Sequence, residues 1–321
     1  MVTKAVTWVL TDGKIGMITQ AMGLAQAVGF VTVAKTIRPA APWKWLPAGL
    51  WPAWASGIGS GSDSMDDDPP DLVISCGRHA VGPALWLKRR HGGRPFLVHV
   101  QHPRINPALF DLIVAPVHDG LCGPNVVQIT GSLHGVTQAK LAAAAERFGP
   151  AYRAIKRPLV AVLVGGSNSV YDLTEATVER LITGLRRLAE AHGTGLLVTL
   201  SRRTGPAAEK RLREALADVA AEIWSGGGEN PYLGYLALAD ATVVTCDSVN
   251  MISEACATGK PVYIADLPAR GNSKFAAFHD RLVAAGMARP FDGSFERWSY
   301  QPLDDTARAA TEVRRRMGIA P

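Results

Sequence analysis

The stretch "ATVVTCDSVNMISEACATGKPVYIA", Ala241 to Ala265, decides the fold. Ala241–Thr245 is a short β-branched run and reads as a strand, as does Val262–Ala265. Between them lies a polar turn, Asp247-Ser248-Val249-Asn250, then a short helix with an apolar face of Met251, Ile252, Ala255 and Cys256. Gly259-Lys260-Pro261 ends it. Strand, turn, helix and strand in so short a span predict a parallel βαβ unit. Asp247 or Ser248 suits the helix cap. Glu254 falls in the second turn, where a carboxylate can accept both hydroxyls of a ribose.

The same alternation extends outward. Ala5–Leu10, Leu72–Cys76, Phe96–Val100, Leu112–Ala115 and Val126–Ile129 read as strands, with helices near Met17–Val28 and Ala80–Arg90. A second series starts at Pro158–Val164, continues through a helix near Thr174–Ala191 and a strand Gly195–Leu200, and adds a helix near Ala207–Ala217. "RFGPAYRAIKRP", Arg147 to Pro158, has the composition of a hinge. We therefore expect two domains, 1–152 and 153–302. The closing segment 303–321 carries an amphipathic helix, Leu303–Met317, expected to pack back on the first domain. The fold class is α/β, with two Rossmann-like, doubly wound parallel-sheet domains facing a central cleft.

Composition agrees with a folded chain. Of 321 residues, 47% are hydrophobic and 19% charged, and the formal net charge is +6. That charge suits anionic ligands. No block of basic residues points to nucleic acid. The cysteines Cys76, Cys122, Cys246 and Cys256 lack C-x-x-C spacing, so no metal site is expected and a reducing, cytoplasmic setting fits. No apolar run is long enough for a signal peptide or a spanning helix.

Ligands of open parallel sheets bind at strand C-terminal ends. In the first half those ends carry Asp12, Arg78, His79, His102, Arg104 and His118. In the second half they carry Gly165-Gly166-Ser167-Asn168, Arg202-Arg203 and Asp247-Ser248-Val249-Asn250. Gly166, Ser167 and Asn168 suit a backbone approach to phosphate. The guanidinium forks of Arg202 and Arg203 suit a diphosphate. Neither P-loop spacing nor G-x-G-x-x-G follows a strand, which argues against ATPase and ordinary dinucleotide readings.

Pro39–Asp71 reads as an insertion. It packs Trp43, Trp45, Trp51 and Trp54 close together, then turns Gly/Ser-rich and acidic, as in a mobile loop. Trp with Lys44 suits the headgroup layer of an anionic membrane. Asp66–Asp68 reads as a solvated charge run.

The opening stretch resembles the nucleotide-sugar half of GT-B glycosyltransferases, notably the one that completes lipid II. There the glutamate of this helix holds a uridine diphosphate sugar's ribose. A fuller resemblance runs through "DGKIGMITQAMGLA", "CGRHA", "QHPR", "HDG", "GPNV", "GGSN", "LSRRTG", "ENPY" and "CDSVNMISEACATGKPVY", from Asp12 to Tyr263. It is to a bacterial and plant family named after a mitochondrial-fission factor, also labelled nucleoside-diphosphate-sugar epimerase. The resemblance implies a GT-B-like fold and a nucleotide-sugar donor, with no further cofactor. Gly166, Ser167, Asn168, Arg202, Arg203, Asp247, Ser248, Asn250 and Glu254 would bind the donor. Asp12 would serve as general base, with His102 and His118 as alternatives. The acceptor is left open; a lipid-linked one, which the tryptophan segment suits, would make the protein peripheral at the inner face of a membrane. The alternatives are a non-catalytic interaction module and a GT-B-type epimerase.

Overall fold

The computed structural model describes residues 5–51, 57–219, 221–271 and 274–319. The chain divides into two compact units, Met1–Gly135 with Asp304–Pro321, and Val136–Leu303.

In the first unit β1 (Val6–Thr11), β2 (Val31–Thr36), β3 (Leu72–Cys76), β4 (Phe96–Val100), β5 (Leu112–Pro116) and β6 (Val126–Ile129) form a parallel sheet. Its order is β2-β1-β3-β4-β5-β6. Helices α1 (Ile15–Val28) and α2 (Arg78–Arg90) follow β1 and β3. Alternate strand residues bury on opposite faces. Val9, Ile74, Val98 and Val114 pack with Leu24 of α1, whereas Leu10, Val73, Leu97 and Ile113 pack with Val81 of α2. Burial on both faces is why these strands read as unbroken apolar runs. The chain's last helix, α9 (Asp305–Arg316), adds Ala309, Ala310 and Val313 to the α1 face. The Asp305 carboxylate accepts the Thr130 and Gly131 N–H groups at its start. Near its end Arg314 donates to the Val28 carbonyl.

The second unit begins with α3 (Gln138–Tyr152). Its sheet contains β7 (Leu159–Val164), β8 (Gly195–Leu200), β9 (Ala221–Trp224), β10 (Ala241–Thr245), β11 (Val262–Ala265) and β12 (Ala288–Pro290). The order is β12-β11-β10-β7-β8-β9, again parallel throughout. It is flanked by α4 (Glu175–His192), α5 (Pro206–Leu216), α6 (Tyr232–Leu238), α7 (Val249–Cys256) and α8 (Lys274–Ala284).

Two expectations need correction. The boundary falls at Val136, not after residue 152, because the first half of the supposed hinge is the end of α3. The Gly149-Pro150 pair looks like a breaker, yet Phe148 packs against Gly234 of α6 and Tyr152 meets Tyr235 edge-on. Nor is the Gly/Ser-rich acidic stretch loose. Gly59 N–H donates to the Arg38 carbonyl, Asp63 accepts the Thr36 N–H, and Lys35 reaches the Ser64 carbonyl and the Asp67 carboxylate. Asp66 pairs with Arg90. The stretch covers part of edge strand β2, whose backbone would otherwise be open.

Candidate functional site

Each sheet has one place where neighbouring strands send their chains in opposite directions, and such switch points are where α/β sheets hold ligands. In the first unit it lies between β1 and β3, in the second between β7 and β10. At both, a side chain of one strand-end turn bonds across to the other.

In the second unit the bridging group is Asp247, whose side chain is fully buried. It accepts the Gly166 N–H at 3.0 Å and the Thr245 hydroxyl at 2.6 Å, and pairs with Arg203 Nη2 at 2.7 Å. Arg203 also donates to the Gly166 carbonyl, while Ser201 and Thr204 hydroxyls donate to that of Gly165. The two glycines are required by this packing. A Cβ on Gly165 would lie 2.2 Å from the Asp247 carboxylate, and one on Gly166 would lie 2.0 Å from the Arg203 carbonyl oxygen. The Gly166 N–H is therefore committed within the protein. Asn168 likewise folds its own loop, accepting the Val170 and Tyr171 N–H groups and donating to the Asp247 carbonyl. Helix α4 does not begin until Glu175, capped by Thr174, so its N-terminus does not follow directly on the Gly-Gly turn. Ser167 and Arg202 are exposed on the same strand-end turns.

Helix α7 starts directly at the switch point. Ser248 caps it, accepting the Met251 N–H at 3.3 Å, and Asn250 is half-buried in its first turn. One turn on, Glu254 is half-buried and accepts a hydrogen bond from the Tyr232 hydroxyl at 2.5 Å. Burial pushes the Glu254 carboxyl up to about 7, although the Tyr232 hydroxyl pulls it down. Tyr232 comes from the "ENPY" turn that opens α6. Its role was not read from the sequence, because only the fold brings α6 beside α7.

In the first unit Asp12, after β1, pairs with Lys14 at 2.6 Å and with His79 Nδ1, after β3, at 3.3 Å. Arg78 Nη2 lies 3.1 Å from His79 Nε2. Because a guanidinium only donates, the proton of neutral His79 is assigned to Nδ1, facing Asp12. Burial raises the Asp12 carboxyl, but Lys14 and His79 outweigh it, and its pKa sits below the ordinary aspartate value. His79 and Arg78 stood in the sequence at the right strand end but were not singled out, since their pairing with Asp12 depends on β1 and β3 being neighbours. His102 Nδ1 accepts the Arg104 N–H at 3.0 Å, which leaves its proton on Nε2 when neutral and makes it a poor base there. His118 sits in a short turn after β5, half-buried. No group of His, Cys, Asp and Glu suited to a metal ion occurs among the described residues.

The tryptophans separate. Trp51 is folded in: a Cβ on Gly82 of α2 would lie 1.9 Å from its ring. Trp43 is half-buried, its ring centroid 5.8 Å from that of Trp51. Trp45 is exposed, and Trp54 lies outside the described residues.

Several solved structures share the fold. The UDP-GlcNAc 2-epimerase of Methanocaldococcus jannaschii matches with a TM-score of 0.58 at 14% identity, over 98% of this chain and 100% of that one. That of Neisseria meningitidis, solved bound to UDP-GlcNAc, matches with a TM-score of 0.55 at 13% identity, over 98% and 99%. MurG of Acinetobacter baumannii matches with a TM-score of 0.50 at 14% identity, over 99% and 96%. The fold is GT-B-like. In sequence, the mitochondrial fission protein ELM1 of Arabidopsis thaliana is 35% identical over 285 residues, 79% of this chain and 65% of the plant protein. This chain thus spans just under two thirds of that relative. An uncharacterised Rickettsia prowazekii protein is 27% identical over 96% of this chain and 97% of its own. The sequence profile described as Mitochondrial fission ELM1 matches residues 15–317, and the chain belongs to that family.

Proposed function

We propose that the chain is a cytoplasmic GT-B-type enzyme that binds a nucleoside-diphosphate sugar on its second unit and transfers the sugar to an acceptor held by its first. The reading is carried by one observation: the Glu254–Tyr232 pair stands one turn beyond the capped start of α7, at the switch point of the second sheet. Ionised Glu254 accepts the ribose hydroxyls. Ser248 and Asn250 line the start of α7, whose dipole favours the diphosphate. Ser167 and Arg202 meet the phosphates, and Arg203 joins them from its place on Asp247. Asp247 and Gly166 hold the strand ends in register for those groups. In the first unit Asp12 takes the acceptor hydroxyl's proton, kept ionised by Lys14 and oriented by His79. A lipid-linked acceptor would place the reaction at the inner face of a membrane.

The test is calorimetric titration of wild type, Glu254→Gln, Glu254→Ala and Tyr232→Phe with nucleoside diphosphates and their 2'-deoxy forms. Charge-assisted hydrogen bonds to the ribose predict a loss of roughly 10- to 100-fold in the Glu254 variants and a matching loss for the deoxy ligand in wild type. Equal affinities throughout would remove Glu254 from the reading.

The UDP-GlcNAc 2-epimerases of the same fold favour a second reading, a GT-B-type epimerase. Incubation with nucleotide sugar alone separates the two: an epimerase converts it to a stereoisomer without an acceptor, a transferase does not. The plant relative's name favours a third, a module that recruits partners without turnover. Binding without either reaction would select it.

A further inference from the structure

Val31, Val33 and Leu109 of the first unit are exposed apart from one another, but three further large apolar side chains gather together. Ile15 is 56% exposed, Trp45 67% and Leu50 65%. Each stands on a segment at or beside the C-terminal end of β1 or β2. These segments touch one another. Arg78 Nη2 donates to the Lys44 carbonyl at 2.9 Å, tying the tryptophan segment to the Arg78–His79–Asp12–Lys14 chain of bonds beside Ile15. A Cβ on Gly49 would lie 3.3 Å from Ile105, so the turn bearing Leu50 rests on the loop after β4. The base is rigid, because Trp51 fills the space over Gly82.

The charge on this edge has one dominant sign. Lys14, Lys44, Arg78 and Arg104 are exposed there, against Asp12, which is only 12% exposed and paired with Lys14, and the exposed Asp63, whose carboxylate accepts the Thr36 N–H at the end of β2. The Lys44 ammonium sits 4.4 Å above the Trp45 ring, placing a cation and an indole at one point. Two large apolar tips, an indole with a cation over it and a basic surround are what an anionic headgroup layer accepts: apolar groups enter the acyl boundary and cations meet lipid phosphate. A free phosphate would not use Trp45 or Leu50.

We propose that this edge of the first sheet, with Trp45 and Leu50 as inserting groups and Lys44 and Arg104 as phosphate contacts, is a docking surface for an anionic lipid bilayer. The surface goes beyond the nucleotide-sugar reading and does not depend on it, since vesicle binding needs no nucleotide.

The experiment is co-sedimentation of the full chain with vesicles of phosphatidylcholine alone and of equal parts phosphatidylcholine and phosphatidylglycerol, at low and high salt. Wild type should sediment with the anionic vesicles and be released by salt. The double variant Trp45→Ser/Leu50→Ser should bind about tenfold more weakly or worse. Lys44→Glu/Arg104→Glu should lose the preference for anionic lipid. Val283→Ser, an exposed apolar residue of the second unit, should bind as wild type. Leu50→Glu alone repeats the test should the double variant not fold. Wild type staying in solution, the Trp45/Leu50 variant sedimenting unchanged, or equal binding to phosphatidylcholine alone would each overturn the proposal.

Discussion

Glu254→Gln should stabilise the empty protein at alkaline pH. The carboxyl titrates near 4.5 when free in the unfolded chain and at about 7 in the fold, mainly because burial disfavours its charge. A carboxyl whose pKa is raised on folding favours the fold while protonated. That contribution is whole below 4.5, declines as pH rises from 4.5 to 7, and is gone above. The difference amounts to about 3 kcal/mol between the two ends of the range, at about 1.4 kcal/mol per pH unit. Because the side chain keeps some contact with solvent, about 2–3 kcal/mol is the figure to expect. Glutamine cannot ionise, yet its amide oxygen still accepts the Tyr232 hydroxyl. The variant should therefore match wild type near pH 4 and exceed it at about pH 8.5, by roughly 4–12 °C in the transition of the second unit, at about 2–4 °C per kcal/mol. Thermal unfolding followed across pH without ligand measures this. A gain of equal size at both ends of the range, or a loss at alkaline pH, would refute the reasoning and show that the ionised carboxylate holds α7 against α6.

Three other perturbations have definite outcomes. Asp247→Ala should destabilise by about 2–4 kcal/mol in denaturant titration, since it leaves the Gly166 N–H, the Thr245 hydroxyl and Arg203 without their shared acceptor. Gly82→Ala should cost about 1–3 kcal/mol by overpacking against Trp51 and shift tryptophan emission to the red; unchanged emission and stability would show that Trp51 does not occupy that space. Asp12→Asn should abolish turnover of a nucleotide sugar while leaving nucleotide affinity within about twofold, and retained turnover would move the base elsewhere.

Strand–helix alternation made the sheets legible, because strands buried on both faces leave short apolar runs that a surface strand does not. Leu72–Cys76, Gly195–Leu200 and Ala241–Thr245 fall where the runs end. Edge strand β2 was not legible: Val31 and Val33 are exposed, Lys35 is the buried member, and the run has no apolar face. Helix α3 was missed because Gly149-Pro150 outweighs periodicity locally, while the contact of Phe148 and Tyr152 with α6 is non-local. At the site, Asp247, Ser248 and Glu254 lie on one strand-end turn and the helix it opens, and could be read together. Tyr232 and His79 could not, since each meets its carboxylate only after two separate βα units become neighbours.

The bridging bonds at the two switch points differ in a way that sorts the acids by task. Asp247 is wholly enclosed and its bonds to Gly166, Thr245 and Arg203 are internal, so it holds the strand ends together and leaves little for a ligand to gain. Asp12 keeps an exposed edge and a lowered pKa, so it remains charged at neutral pH and reachable by a hydroxyl. Glu254 has the opposite bias: burial holds it near half-protonated at pH 7, and only a partner offering hydrogen bonds restores its charge. A ribose diol is such a partner. Nucleotide binding near neutral pH should then release a proton from Glu254, visible as a binding enthalpy that varies with the ionisation enthalpy of the buffer. Glu254→Gln should abolish that dependence. A buffer-independent enthalpy in wild type at pH 7 would mean that the carboxylate is already ionised, or that the nucleotide never reaches it.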